Sequence, residues 1–216
     1  MKKGDPIYDA IHSAIHAAVE DGTTFRKFEL AVYPLLSDRK QWAEKKKSIA
    51  RLALMFHACI MTLYSSRNWG QIQKFKDRRP YLMYDAIQDS HTRPQHRAWD
   101  GMVLLADDPW WNTHYPPNGW DCRCSVIQMS NEMAEEQTGK SAPDIAPPDK
   151  TIFWKNLASG QSVAIPDGID PGFNRNPGIH SKEMITGIIA TTVNDPAYID
   201  MVIARILDRG GRRWGD

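Results

Sequence analysis

The stretch of sequence that says most about this protein is residues 89–124, which contains DSHTRPQH at 89–96, DG at 100–101, DDPW at 107–110 and YPPNGWDCRC at 115–124. Asp, His, Pro, Trp and Gly dominate it, and it lacks the regular spacing of apolar residues that marks a helix or a strand. So many turn-forming residues in one stretch predict a compact assembly of loops. We expect side-chain hydrogen bonds, a metal ion or both to hold these loops in place.

The first half of this stretch contains two residues that are suited to turns. Pro94 can occupy the first turn of a short helix, which would place His96 and its neighbours on one side. Gly101 can adopt a positive φ and turn the chain back into a strand. We therefore predict a helical turn around His96 and a strand from Met102 to Leu105.

The second half predicts a rigid turn that leads into a further strand. Pro116, Pro117 and Gly119 supply the residues of the turn. The strand is expected over 122–129, where Cys122 and Cys124 are two residues apart. Side chains at that spacing share one face of a strand, so both thiols would point the same way.

On the N-terminal side of the stretch, apolar spacing predicts three helices and a strand. The first helix covers 6–20, and the second begins after Thr24. The third is a long helix over 41–67, with a further turn or two at 71–77. The strand follows over 81–87.

On the C-terminal side, we predict a short helix over 130–138, a Pro-rich linker or arm over 139–150, a small hairpin and terminal helices. The fold class is therefore α+β. An N-terminal helical region (1–77) is expected to pack on a small, loop-rich domain of mixed structure (78–138). An extended, loosely attached arm with the terminal helices (139–216) completes the chain.

Composition limits the classes of function. The 216 residues carry 27 basic and 26 acidic side chains, a net charge of +1, which argues against a dedicated nucleic-acid binder. Local basic patches remain at Lys74–Arg79 and Arg209–Arg213. Three cysteines are too few for a disulfide framework, so we expect reduced thiols. We see no signal peptide and no apolar run of membrane-spanning length, and expect a soluble protein that does not bind membranes.

Taken in order, these motifs resemble the phage Mu F-like head-morphogenesis family. Its pattern resembles D-x-R/H-T-R-P-x-H-x-x-x-D-G, then D-D-P-x-W, then Y-P-P-N-G-W-x-C-R-C, and each piece is present here. RRPYLMY at 78–84 and GFNRNPG at 172–178 are similar to elements before and after that core. The resemblance covers residues 20–180 in pieces and is dense over 78–126.

The resemblance implies a structural protein and not an enzyme. Family members are expected in few copies in the head of a tailed phage, near the portal, where they act in head morphogenesis. The implied partners are the portal, the major capsid or scaffold proteins, with packaged DNA as a further candidate. The implied location is the virion head, and the host cytoplasm during assembly.

The resemblance also raises the question of zinc. Some relatives carry a C-x-x-C pair where this chain has Arg93 and His96, and a His shortly before C-R-C, which resembles a zinc site. His96, Cys122 and Cys124 match that arrangement here, whereas Arg93 replaces a cysteine. Structural zinc takes four ligands, so the fourth would come from His91, His114, Asp89 or Asp100. No cofactor other than zinc is expected.

Two alternatives stay open beside the zinc hypothesis. In the first, one of the two cysteines faces the core as a small apolar side chain, and the other faces a hydrogen-bonded loop. His91 and His96 would form hydrogen bonds with Asp89 and Asp100. Asp89, Arg93 and Asp100 would then form a buried polar network that fixes the loop. In the second, the protein is an enzyme: a metal-dependent nuclease or hydrolase that uses His91, His96 and Asp100, or a phage-borne toxin-type domain. We recognise no catalytic motif for either.

Overall fold

The computed structural model describes residues 5–141, 143–155, 160 and 162–208, so the basic patch at Arg209–Arg213 lies outside the described residues. Two compact units are present: one takes in the chain up to Leu63 together with the chain from Lys182 onward, and the other is Tyr64–Ser181. Helices and two small antiparallel sheets confirm the predicted α+β class. The division into 1–77, 78–138 and 139–216 was based on composition and stays a prediction.

The first unit is helical. Asp5 caps its first helix by accepting a hydrogen bond from the Ile7 amide, and Pro6 occupies the first turn. Ile11 and Ile15 lie on one face of that helix and are fully buried. The elements are α1 Pro6–Glu20, α2 Phe25–Leu36, a 3-10 turn Lys40–Trp42, part of α3 Lys45–Phe75, most of α7 Pro177–Asn194 and α8 Pro196–Asp208.

The terminal helices belong to this helical unit and are not a loosely attached arm. Arg51 on α3 makes a two-pronged ion pair with Asp200 on α8, at 2.7 and 2.6 Å, and Arg51 is 5% exposed. The Tyr8 hydroxyl on α1 lies 2.7 Å from the Thr186 hydroxyl on α7. Sequence spacing alone gives no sign of these contacts, since Arg51 and Asp200 are 149 residues apart.

Helix α3 is longer than predicted. It starts at Lys45 because the chain at 40–42 forms the 3-10 turn, and it continues through Gly70 to Phe75 as one helix of 31 residues. By length and composition alone α3 could cross a membrane, which the sequence analysis missed. Because 61% of its apolar window is buried inside the protein, we interpret it as a core helix.

The second unit is built on a three-stranded antiparallel sheet of β1 Tyr81–Asp85, β2 Val103–Leu105 and β3 Ser125–Met129, in the order β2-β1-β3. Leu82 and Tyr84 on β1 point to one face and are fully buried. On the other face, Val103 and Met129 pack against Ala134 of α6 Asn131–Thr138. Helix α6, predicted over 130–138, is capped by Ser130, whose hydroxyl accepts from the Met133 amide.

Two predicted strands are shorter than expected. Pairing of β1 with β3 starts at Asp85 and Ser125, so Cys122 and Cys124 precede β3 instead of lying on it. The next amide, that of Ala86, donates to the Asp100 carboxylate at 2.8 Å and is therefore not available to the sheet. The Ala86 amide points to the same side of β1 as the Tyr84 amide, which donates to Met102, so the Asp100 side chain takes the place of β2 at this end of β1.

Short elements carry the rest of the second unit. These are α4 Pro94–Trp99, α5 Trp111–His114 and the predicted hairpin, which is confirmed as β4 Thr151–Lys155 and β5 Ser162–Pro166. After the hairpin, the chain returns to the interior of this unit, where Ile165, Ile169 and Phe173 are buried. Residues 165–173 are therefore also part of a core, in contrast to the loose arm that composition predicted.

Candidate metal centre

The structure brings together the three residues that the sequence singled out as metal ligands. His96 Nδ1 lies 3.5 Å from Cys124 Sγ and 3.8 Å from Cys122 Sγ, and one ligand atom from each of the three residues lies within 4.8 Å of the others. All three side chains are buried, with exposures of 2 to 4%. Both thiols therefore face the same imidazole, as predicted, although neither cysteine lies on a strand.

Local backbone geometry explains how the two chain segments meet. Pro94 opens α4, as predicted, and His96 follows in its first turn. On the other side, Asp121 adopts a left-handed φ of 57°, which is uncommon for a residue with a side chain. It immediately precedes Cys122, so the chain changes direction just before the two thiols.

A carbonyl far along the sequence orients the imidazole. His96 Nε2 lies 2.8 Å from the carbonyl oxygen of Gly168, which can only accept, so Nε2 carries the proton. Nδ1 is then left with a lone pair that faces the two sulfurs. Gly168 itself has φ 90°, and a Cβ there would come within 2.6 Å of the Gln95 side chain. Only glycine can therefore bring this carbonyl to His96.

The donor set fits zinc. In a tetrahedral site with Zn–S of about 2.3 Å and Zn–N of about 2.0 Å, sulfur and nitrogen are about 3.5 Å apart. The two observed S–Nδ1 distances, 3.5 and 3.8 Å, lie close to this value. A histidine that ligates a metal through one nitrogen usually donates through the other to a carbonyl or carboxylate, as His96 does.

The two thiols titrate as a pair. A hydrogen bond from Cys124 is the main cause that lowers the pKa of Cys122, and His96 and Arg93 act in the same direction against the effect of burial. The same hydrogen bond, followed by burial, raises the pKa of Cys124. The site thus favours one thiolate held by a neighbouring thiol, an arrangement that suits a soft metal ion.

Arg93 forms an ion pair with Asp170. Its Nη2 lies 2.6 Å from the Asp170 carboxylate and 2.9 Å from the Trp120 carbonyl. Asp170 also accepts from the Trp120 amide at 2.8 Å. Both charged side chains are about 15% exposed (15 and 14%), so the pair is largely shielded from water.

The predicted turn over 116–119 lies against this ion pair. Pro116 and Pro117 are buried, and a Cβ on Gly119 would lie 2.8 Å from the Arg93 guanidinium and closer still to Asp170. Asn118, which is fully buried, accepts from the Tyr84 hydroxyl at 2.9 Å. Gly119 is therefore required because the ion pair occupies the space of a side chain.

The predicted network of Asp89, Arg93 and Asp100 is wrong in its partners. Asp89 receives both guanidinium nitrogens of Arg123 at 2.8 Å, whereas Asp100 is exposed and caps the Ala86 amide. His96 bonds to neither carboxylate. These charges serve three separate contacts. Gly101 has φ 76°, and its amide donates to the Tyr84 carbonyl, so the predicted turn into β2 is confirmed.

Three of the four proposed fourth ligands have other partners. His114 Nε2 lies 3.2 Å from Asp149, and burial lowers the pKa of His114. Asp89 and Asp100 make the contacts described above. Of the four, His91 is the one that borders a small cavity together with His96 and both cysteines.

Sequence reasoning missed Asp170 and Gly168. Neither lies in the dense motif region, and they are 77 and 72 residues from the side chains they contact. The signal nearest to them is GFNRNPG at 172–178, where Asn176 is fully buried and donates to the Trp111 carbonyl at 3.2 Å. That element was recognised as a resemblance, but without its contacts.

Comparison with known proteins identifies the family. The family described as "Phage Mu protein F like protein" matches residues 9–127. The chain belongs to this family. The "Mu-like prophage FluMu F protein" of Haemophilus influenzae is 34% identical to this Mu F-like chain over 142 residues, which cover 62% of the chain and 34% of that relative. The "Putative capsid assembly protein F" of Escherichia phage Mu is 32% identical over 143 residues, 60% of the chain and 33% of that protein.

The predicted family is therefore confirmed. The Mu F-like chain spans about a third of the length of these two relatives. No solved structure matches it.

Proposed function

We propose that this Mu F-like protein is a minor head protein of a tailed bacteriophage and acts as a structural component in head assembly. The observation that carries the proposal is the family match over residues 9–127, with a relative in phage Mu that is named for capsid assembly. Within the head, we place it near the portal, with the portal, major capsid or scaffold proteins as partners. It would meet them in the host cytoplasm and stay in the virion.

The geometry of the candidate centre supports a structural role over an enzymatic one. His96, Cys122 and Cys124 are each at least 96% buried. The cavity beside them has a volume of about 10 Å³, which accommodates about one water molecule and no substrate. Asp100, which the nuclease alternative would need, is exposed and holds the end of β1. A closed site of this kind is typical of structural metal centres.

We also propose that His96, Cys122 and Cys124 hold zinc. A bound zinc ion would supply a cross-link between α4 and the loop that precedes β3. Cys122→Ser combined with Cys124→Ser should then impair folding or incorporation into heads. Zinc determination on the purified protein tests the metal itself: about one zinc per chain supports the proposal, and a zinc-free, well-folded protein after metal-supplemented expression contradicts it.

Packaged DNA is a further proposed partner. Lys74, Arg78 and Arg79 are exposed around the C-terminal end of α3, and Phe75 between them is 51% exposed. Lys76 is committed to Asp107 at 2.8 Å, so the other three cations supply the free positive charge of this patch. Exposed cations beside an aromatic side chain suit a phosphate backbone.

The experiment that tests the head-protein proposal is quantitative mass spectrometry of purified particles, with and without the gene. We expect a few copies per particle in complete phage and aberrant or fewer heads when the gene is deleted. A particle that lacks the chain, together with normal heads in the deletion strain, would rule the proposal out.

A further inference from the structure

We infer that His91 is the fourth metal ligand in this chain. The inference depends on the zinc site proposed above and adds one residue to it. It predicts a site of two thiolates and two imidazoles, supplied by the loop over 89–92, by α4 and by the loop before β3.

The cavity beside the three-ligand cluster supplies the first argument. It is large enough for one small ion or water, and its border includes four side chains that can ligate zinc through nitrogen or sulfur: His91, His96, Cys122 and Cys124. In the structure, the His91 ring stands outside the 4.8 Å cluster. Ligation therefore requires a rotation of this half-buried side chain, with the backbone left in place.

The backbone of His91 is held against the cysteines by the Asp89–Arg123 ion pair. Arg123 lies between Cys122 and Cys124 in the sequence, and both of its terminal nitrogens bind the Asp89 carboxylate at 2.8 Å. The same carboxylate accepts the amide of His91 at 3.0 Å. One carboxylate thus joins the loop that carries His91 to the loop that carries both thiols.

Arg93 also borders the cavity but cannot be the fourth ligand. Arg93 offers only donors and is always charged, and it is paired with Asp170. It therefore cannot ligate zinc. His91 is two residues earlier and lies at the border of the same cavity.

Asp121 is the rival ligand, since it also borders the cavity. Charge balance argues against it. Zinc with two thiolates is neutral, and a neutral imidazole keeps it so, whereas a carboxylate would leave a net negative charge in a largely buried site. The nearby Arg93 cation does not compensate, because Asp170 already neutralises it.

Cobalt substitution in the full chain tests the inference. In the wild-type protein, Co²⁺ should give the ligand-field band of a tetrahedral site and a thiolate-to-cobalt charge-transfer band. His91→Ala should weaken Zn²⁺ binding, measured by competition with a chelator, by at least about tenfold, the lower end of the effect of outer-sphere changes. His91→Cys should restore affinity and increase the charge-transfer band by about one half, because a third thiolate joins two.

The control variant is Asp121→Gly, since glycine accepts the left-handed φ of this position. It should keep the wild-type affinity and spectrum. If the wild-type protein binds zinc and His91→Ala binds it equally well, or if Asp121→Gly loses it instead, the inference is overturned while the zinc proposal stands. If the wild-type protein binds neither Co²⁺ nor Zn²⁺, both are overturned, and a normal charge-transfer band in His91→Cys would also contradict the inference.

Discussion

The guanidinium of Arg93 and the carboxylate of Asp170 form an ion pair at 2.6 Å between two chain segments that are 77 residues apart. Trp120 adds to the contact through both its amide and its carbonyl. Three segments of the second unit, around 93, 119 and 170, are therefore fixed by one largely buried pair of charges.

Asp170→Ala should destabilise the protein strongly. The change leaves a buried guanidinium and the Trp120 amide without their acceptor, and breaking such a pair costs about 3–5 kcal/mol. Urea unfolding measures the loss. The matched control is Asp107→Ala, which removes the partner of Lys76 in an ion pair whose carboxylate side chain is 69% exposed, and it should change stability little. Equal effects of the two substitutions would contradict this account.

Gly119→Ala should destabilise the protein by about 1–3 kcal/mol, because the added methyl group overlaps the Arg93–Asp170 pair. Gly70→Ala provides the opposite case. Gly70 lies within α3 and has nothing within 4 Å of an added Cβ, so alanine should stabilise by about 0.5–1 kcal/mol. Thermal unfolding of both variants measures whether each change in stability has the expected sign. If Gly119→Ala stabilises the protein, the Arg93–Asp170 pair can move to make room for the methyl group.

Stability should depend on pH through Asp89. The two hydrogen bonds from Arg123 lower the pKa of this carboxyl group below its ordinary value. Because the folded pKa is the lower one, the contribution of Asp89 is present in full above the unfolded pKa of about 4 and is lost as the pH falls through the folded value. Asp89→Asn should therefore be less stable than wild type at neutral pH, and the difference should shrink in acid.

The control for the Asp89 prediction is Arg123→Gln. In that background, the added Asp89→Asn change should have a smaller effect, since the shared contact is already lost. Denaturant titrations at several pH values measure both. A difference between wild type and Asp89→Asn that stays constant from neutral to acid pH would show that the carboxylate charge is not what matters.

If the basic patch binds DNA, charge reversal at the C-terminal end of α3 should lower the affinity for DNA, and charge reversal at its N-terminal end should not. Lys74→Glu with Arg78→Glu and Arg79→Glu should weaken binding to duplex DNA and reduce the slope of its salt dependence. The control is Lys45→Glu with Lys46→Glu and Lys47→Glu, an equal change at the other end of the helix, where Lys47 is paired with Glu44 at 2.7 Å. Fluorescence anisotropy with labelled DNA measures both, and an equal loss would indicate that net charge alone decides.

Local pattern in the sequence was enough to predict most of the elements. Helix α1, the Ser130 cap of α6 and the β4–β5 hairpin follow from apolar spacing and turn chemistry. The strand that was expected to start at Cys122 starts at Ser125. On the β2 side of β1, the Asp100 carboxylate takes the Ala86 amide, and propensity along one strand contains no information about an acceptor 14 residues away.

The candidate site was predicted in its residues but not in its supports. His96, Cys122 and Cys124 could be named from the motif, whereas Gly168 and Asp170 could not, since nothing in their own types marks them. The predicted partners of Asp89 and Arg93 were wrong for the same reason. Pairing was expected among Asp89, Arg93 and Asp100, whereas the fold pairs Asp89 with Arg123, at the other end of the motif stretch, and Arg93 with Asp170, outside it.

The bond between His96 and the carbonyl of Gly168 has a consequence for biosynthesis. The ribosome makes His96 and both cysteines well before it reaches residue 168, so the nascent chain has all three ligand side chains while the imidazole still lacks the acceptor that fixes its tautomer. The cluster is therefore completed late in translation, once the segment around 168–170 has emerged and folded back. A chain that terminates prematurely within the hairpin would retain the cysteines in a loop whose histidine is free to turn away, which would expose two thiols to oxidation before assembly begins.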